Sequence, residues 1–478
     1  MQSSRRGFLK AASGTAAAAA LASRMPAWAE ESASGAVKLW STYRDRRHTA
    51  GEALAWKPAA GQIEADAIML DPATTRQQML GFGAAMTDSS CYLLSRLSDA
   101  ERAPIMHDFF SPDEMAFNVC RTAIGSSDYS LSVYSFNEST EPDPEMKHFS
   151  IDHDKAYILP MLREARKANP DLFLFSSPWS PPAWMKPNKS MLGGVMRKTN
   201  LSAYAKYFTM FLDGYKAEGV AVDAVTVQNE VDAEQEGHMS ACVWAQEAEI
   251  EFVGKHLGPT LRQAGSPTKI WVLDHNYNLW GRAIGELSNT EAYQYIDGIA
   301  WHGYVGEPTA MSRVHEAFPQ KNAYWTEGGP DINQPDYETD YTTWADSYNG
   351  IVNNWARSIT AWNLVLDEHG KPNVGPFSCG GVITLHSGTN KITRSGQYWA
   401  FAHYSRHVKR GARVFATNGL GADGAAGPVS YAGFRNPDGG YVVVIANKGP
   451  QRRVQLVLGA NALEVDLPAD SVHTLEWS

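Results

Sequence analysis

The chain has 478 residues, 44% of them hydrophobic and 20% charged, with 15 Trp, 4 Cys and a formal net charge of -10 at pH 7. These values exclude a disordered chain, a cysteine-stapled miniprotein and a basic nucleic-acid binder, so no nucleic acid is expected as a partner. Nor does any stretch reach the ~18 uninterrupted apolar residues of a membrane span, so no transmembrane segment is expected.

The first segment reads as an address. Ser4-Arg5-Arg6-Gly7-Phe8-Leu9-Lys10 is a twin-arginine pattern, followed by an Ala-rich apolar stretch and the small-residue site Ala27-Trp28-Ala29. Residues 1–29 are therefore expected to be a cleaved export signal, which implies a periplasmic or secreted protein. The signal holds Arg5, Arg6, Lys10 and Arg24 and no acid, so its removal takes the net charge from -10 to -14.

Residues 30–75 carry strand patterns at Ala36–Ser41 and Ala67–Leu70. From 76 to 404, short apolar runs alternate with amphipathic stretches. The expected strands are Leu80–Thr87, Phe117–Ile124, Leu172–Ser177, Ala224–Gln228, Lys269–Asp274, Gly298–His302, Ala323–Thr326 and Ser358–Asn363. Helical patterns include Ile158–Asn169, Ser202–Glu218, Trp244–Ala264 and Asp346–Asn354. Eight strand–helix units predict an α/β fold, a (β/α)8 TIM barrel. The competing doubly wound sheet lacks a G-x-G-x-x-G after its first strand; Gly81-Phe82-Gly83 is only a G-x-G. Residues 405–478 change period, and Pro437-Asp438-Gly439-Gly440 joins two alternating runs as a hairpin. Both ends together are expected to build one antiparallel β-sandwich. The cysteines, Cys91, Cys120, Cys242 and Cys379, form no C-x-x-C. They read as free, mostly buried thiols, with a late-formed disulfide as the lesser alternative.

A barrel places its site at the C-terminal ends of its strands. There the sequence offers Asn229 and Glu230 after the fourth strand, Glu327 after the seventh, and His302 and Tyr304 after the sixth. Asp128 follows the second, Trp179 and Trp184 follow the third, and Trp362 is near the end of the eighth. Two strand-end carboxylates among aromatics fit glycoside hydrolysis, which needs a proton donor and a second carboxylate at the anomeric carbon. Trp and Tyr faces suit sugar rings, and amide and carboxyl groups suit hydroxyls. On spacing alone another hydrolase chemistry stays open. Metal hydrolysis is disfavoured by the missing H-x-H, and neither a metal nor a cofactor is called for. Asp88 either touches substrate or caps the next helix. Trp301 and Trp325 fall on the core-facing register, and Glu247, Glu249 and Glu251 read as a solvated helix face.

The chain resembles glycoside hydrolase family 30, which includes the glucosylceramidases. The likeness runs through Gly81–Asp88, Arg121 with Ile124–Ser130, Ser177–Lys186, Val227–Glu230, Thr326–Gly328 and Trp362–Leu364. It implies a retaining mechanism with Glu230 as general acid/base and Glu327 as nucleophile. Asn229 would bind the 2-hydroxyl, while Asp128, Trp179 and Trp362 hold and stack on the sugar. Arg121, His302 and Tyr304 would bond around the two carboxylates, with direct sugar contact by His302 equally open. Three positions depart from the family pattern: Val231 where Pro usually follows the acid/base, Gly303 where an aromatic is common, and a loop over 370–379 one residue shorter. The resulting expectation is an exported, exo-acting β-glucosidase of glucosylceramidase type with a β-glucoside as its carbohydrate substrate. The alternatives are an endo-β-1,6-glucanase of the same family and, from another class, a non-catalytic glycan-binding protein.

Overall fold

The computed structural model describes residues 35–59, 63–64, 66–418 and 427–478; the expected export signal lies outside them. Eight parallel strands close into a barrel. They are β1 (Gly81–Ala85), β2 (Val119–Ala123), β3 (Phe173–Ser177), β4 (Ala224–Thr226), β5 (Lys269–Asn276), β6 (Ile296–His302), β7 (Asn322–Glu327) and β8 (Ala356–Asn363). Each falls on an expected run, and β8 pairs with β1 to complete the ring. Phe175, Trp271, Ala300 and Tyr324 fill part of the barrel interior. Gly83 is required where β1 meets β2, because a Cβ there would lie 1.7 Å from the Val119 carbonyl oxygen.

Three strands lose register at their C-terminal ends. Leu273 faces Ala300 but His275 faces Trp301, so Asp274 is an extra residue in β5. The same slip places Thr326 in β7 and Trp362 in β8. Bulges of this kind re-aim side chains at sheet ends. Leu273 and Asp274 both have positive φ, 73° and 45°.

The second unit is a β-sandwich drawn from both ends of the chain. Ala36–Tyr43 pairs with Ser471–Trp477, and Ile68–Gln78 lies between Arg413–Asn418 and Arg452–Leu458. Its core includes Ile68, Leu70, Val443, Ile445, Leu456 and Leu475. The expected all-antiparallel arrangement is corrected in one place. Ile68–Leu70 runs parallel to Leu456–Leu458, since a strand entering from the N-terminal end is not tied to its neighbour by a hairpin. The hairpin Val429–Arg435 and Tyr441–Asn447 forms as read.

The expected helix over Trp244–Ala264 begins at Gln246 and contains a π-helical turn over Phe252–Leu257. Its acidic run is not a uniformly solvated face. Glu249 is buried, bound to Arg282 at 2.6 Å, and accepts the Leu273 backbone N–H at 3.2 Å. A carboxylate expected in water thus anchors the β5 bulge. All four cysteines are free thiols. No helix among the described residues is long and apolar enough to cross a membrane.

Candidate active site

The C-terminal ends of the strands surround a cavity of about 360 Å³. Its lining includes Asp128, Trp179, Asn229, Glu230, Tyr304, Glu327 and Trp362, seven of the nine residues to which the resemblance gives roles. The other two, Arg121 and His302, are fully buried and do not line it. Both sit beneath the cavity floor and bond to the carboxylates, as the resemblance implied, and the direct sugar contact left open for His302 is not what its position allows. A larger hollow of about 630 Å³ on the sandwich has Glu464 and Asp466 in its wall, but both are paired with Arg453.

Arg121, on β2, is the hub. It donates to Glu327 at 2.5 Å, to Asn229 Oδ1 at 2.8 Å, to Asp274 at 2.8 Å and to Ser177 Oγ at 3.2 Å. With its oxygen taken, Asn229 has its amide NH2 to offer to a ligand. Asp274 also accepts hydrogen bonds from Ser177, Thr226, Thr326 and His302 at 2.7 to 3.0 Å. Burial alone would raise the Asp274 pKa, but the Arg121 charge and these bonds hold it below the carboxylate range.

His302 spans the two glutamates, with Nδ1 3.4 Å from Glu230 Oε1 and Nε2 3.8 Å from Glu327 Oε2. Burial would discharge the imidazole. The Glu327 charge and the bonds to Asp274 and Glu230 outweigh it and carry its pKa up to about 9. For Glu230, burial acts upward, but the charged His302 more than offsets it and keeps the carboxyl below its ordinary value. Glu230 sits in the left-handed region at φ 53°, a strained conformation of the kind that concentrates at functional sites. Tyr304 donates its hydroxyl to Glu327 Oε1 at 3.0 Å.

Trp179 and Trp362 stack with ring centroids 5.1 Å apart, and Arg121 lies 4.8 Å from the Trp179 ring centre. Asp128 is buried with one carboxyl oxygen unpartnered. Burial, then the charges of Glu327 and Glu230, push its pKa well above the carboxylate range.

Two of the three departures from the family pattern have local causes. A Cβ on Gly303 would lie 2.8 Å from Cζ2 of Trp325, which fills the space a side chain at 303 would need. The loop over 370–379 folds onto Asp128, whose backbone oxygen accepts from Val374 and Gly375, and Gly375 leaves no room for a side chain there. Trp301 and Trp325 are buried away from the cavity, as their register suggested. Asp88 lies outside the cavity: Thr87 caps the helix, and the Asp88 carboxylate binds the Leu131 N–H and His153. Sequence reading missed Asp274, Gln235, Met239, His275, Asn276, Phe377 and Cys379, all but the first in the cavity wall.

A parallel barrel and a sandwich, with carboxylates meeting at the barrel mouth, is the architecture of a glycosidase. Residues 79–408 match the Glycosyl hydrolase family 30 TIM-barrel domain and residues 412–475 its beta sandwich domain. The chain belongs to glycoside hydrolase family 30 and is a glycoside hydrolase. It is 32% identical over 391 residues to an endo-1,6-beta-D-glucanase of Neurospora crassa, covering 79% of this chain and 80% of that one. It is 27% identical to the lysosomal acid glucosylceramidase of Mus musculus, covering 86% and 83%. Among solved structures it resembles the endo-beta1,6-glucanase BT3312, with a TM-score of 0.83 and 30% identity over 93% of this chain and all of that one.

Proposed function

We propose that this chain is a retaining endo-β-1,6-glucanase, with Glu327 as nucleophile and Glu230 as general acid/base. The observation that carries the mechanism is the placement of the two glutamates on opposite nitrogens of one buried histidine, beside stacked tryptophans. Glu327 would attack the anomeric carbon while Glu230 protonates the departing oxygen. Water, deprotonated by Glu230, would then release the sugar from Glu327. This requires the carboxyls about 5–5.5 Å apart with the sugar bound. Asn229 would donate to the 2-hydroxyl, and Asp128 would hydrogen-bond a more remote hydroxyl.

In the free enzyme the proton needed by Glu230 sits on His302. Transfer from His302 Nδ1 to Glu230 Oε1 arms the acid once sugar expels water, because burial favours the neutral pair over the charged one.

Internal cleavage of a β-1,6-glucan is preferred over the exo-acting reading for two reasons. The 32% and 30% identical relatives carry that activity in their names. Tyr304 and Phe377, 46% and 42% exposed, give the cavity rim aromatic faces on which further sugar units can stack. Twin-arginine export to the periplasm or beyond completes the proposal, checked by cleavage after Ala29 on secretion.

The test is a hydrolysis panel of β-1,6-glucan, aryl β-glucoside, aryl β-xyloside and glucosylceramide, read by product size and by the anomer first released. Short β-1,6 oligosaccharides in the β-configuration are expected. Glu327→Gln should lower kcat at least ~10³-fold, in line with the loss of a catalytic group. The inverted anomer would overturn the mechanism, and glucosylceramide cleavage without β-1,6-glucan cleavage would overturn the substrate.

A further inference from the structure

Glu230 has a second set of neighbours that hydrolysis leaves unused. His275, at the end of β5, has Nε2 2.6 Å from Asp232 Oδ1 and Nδ1 3.7 Å from Glu230 Oε1. With Nε2–H donated to Asp232, Nδ1 is the nitrogen left over, and it is buried without a hydrogen-bond partner. His302 repeats the arrangement, with Nε2 3.0 Å from Asp274 Oδ1 and Nδ1 3.4 Å from Glu230 Oε1. The three ligating atoms lie within 4.8 Å of one another.

We propose that Glu230, His275 and His302 bind a divalent transition-metal ion, Zn²⁺ in the first instance, and that its binding switches hydrolysis off. Bonds of ~2.0–2.2 Å in a tetrahedron place donors about 3.4 Å apart, so the two histidine–glutamate separations already fit. Each imidazole has its far nitrogen held by a carboxylate, the support that fixes tautomer and ring orientation in zinc sites. Two imidazoles and one carboxylate suit Zn²⁺ rather than the oxygen-seeking Mg²⁺ or Ca²⁺. The cavity supplies water to the fourth position. Binding forms two N–Zn bonds and one O–Zn bond and releases to solvent the proton shared by His302 and Glu230. Glu230 coordinated in this way cannot protonate a leaving group. The ligands come from three separate strand ends, so no H-x-H or other short spacing signals them in the sequence.

The metal binding rests on geometry alone; only the inhibition rests on the glycosidase reading. Calorimetric titration of Zn²⁺ into the chelator-stripped full chain should show one site. His275→Ala should weaken it at least ~100-fold, and Asp232→Asn by ~10–100-fold through loss of imidazole support. Co²⁺ should give the ligand-field absorption of a tetrahedral nitrogen–oxygen site, absent in His275→Ala. Thermal melting without metal checks that the variants fold, with His275→Gln as the substitute if the alanine variant does not. Zn²⁺ should inhibit β-1,6-glucan hydrolysis at the concentrations at which it binds. Absence of Zn²⁺ binding, or equal affinity in the folded His275 variants, overturns the site. Binding without inhibition in an active enzyme overturns the switch.

Discussion

Two regions of this molecule enclose histidines, all of them buried except the half-buried His48, and treat them in opposite ways. At the active site, His302 is fully enclosed yet held charged, with its pKa raised to about 9. Where the barrel meets the sandwich, His48, His403, His407 and His473 cluster, and all have lowered pKa values: about 3 for His48, about 4 for His473 and far below the ordinary value for His403. Burial acts downward in both places. The partners differ. His302 faces Glu230, Asp274 and Glu327, whereas His403 hydrogen-bonds to the hydroxyls of Thr42 and Thr474 with the His48 ring packed against it, and His473 bonds to those of Ser41 and Ser471. His407 touches one carboxylate, Glu476, but His48 is 2.9 Å away and Arg406 and Lys38 add repulsion. A buried imidazole is thus a proton store only where carboxylates outnumber the forces that discharge it.

The largest break in this contrast comes from Arg121→Met. It strips the cation from the buried carboxylates of Asp274 and Glu327, and losing one member of a buried ion pair costs about 3–5 kcal/mol. Thermal melting should show that loss. Hydrolysis should fall further still, because the unpaired carboxylates would take up protons. Unchanged melting would mean that the cation does not hold the two carboxylates.

The interface sets the next effect. In the unfolded chain each histidine gains a proton below about pH 6.5, but in the fold His473 does so only near 4 and His48 near 3. The stability they contribute is complete above pH 6.5 and is lost as pH falls towards 4, on the order of 3 kcal/mol for His473 alone. Melting temperature measured from pH 7 to pH 4 should fall, and less steeply in His473→Gln, which cannot titrate. His302 has the opposite sign: its contribution is present below pH 6.5 and is lost as pH rises through about 9. Activity should fade over the same alkaline range as the His302–Glu230 pair gives up its proton. In His302→Gln that limb should move acidward, towards the carboxylate range, and an unmoved limb would assign the proton elsewhere.

Much of this was legible in the sequence. The eight apolar runs became the eight barrel strands because each side-chain pattern suits a strand covered on both faces. The polar residues that follow those runs, Glu230, Glu327, Asn229 and Asp128, duly meet in one cavity. Asp274 was not legible. It ended an expected strand, but its orientation depends on a bulge that breaks the two-residue period, and no pattern of alternation shows where the extra residue falls. His275 was hidden by the same bulge. Glu249 misled in the other direction, because helical spacing cannot show that Arg282 and the Leu273 backbone are waiting for it. Arg121 was found, but its depth was not, since burial of a charge is decided by partners on three other strands and on the loop after a fourth.

The smallest effect concerns the floor rather than the protons. Gly303 follows His302 and lies against Trp325, whose ring also packs beneath Gly328, next to the nucleophile. Adding one methyl in Gly303→Ala places a Cβ 2.8 Å from a ring that is itself buried and has no free side to move towards. Overpacking of that kind costs about 1–3 kcal/mol. The strain should pass to Glu327 through Gly328, so kcat is expected to fall by less than about 10-fold, within the 1.4 kcal/mol that corresponds to one decade. If the account is right, Trp325→Phe should restore the melting temperature of Gly303→Ala, because the smaller ring gives back the space the methyl takes. Equal melting of Gly303→Ala and the wild type would show instead that the tryptophan shifts freely. In that case His302 owes its position to its carboxylate partners alone.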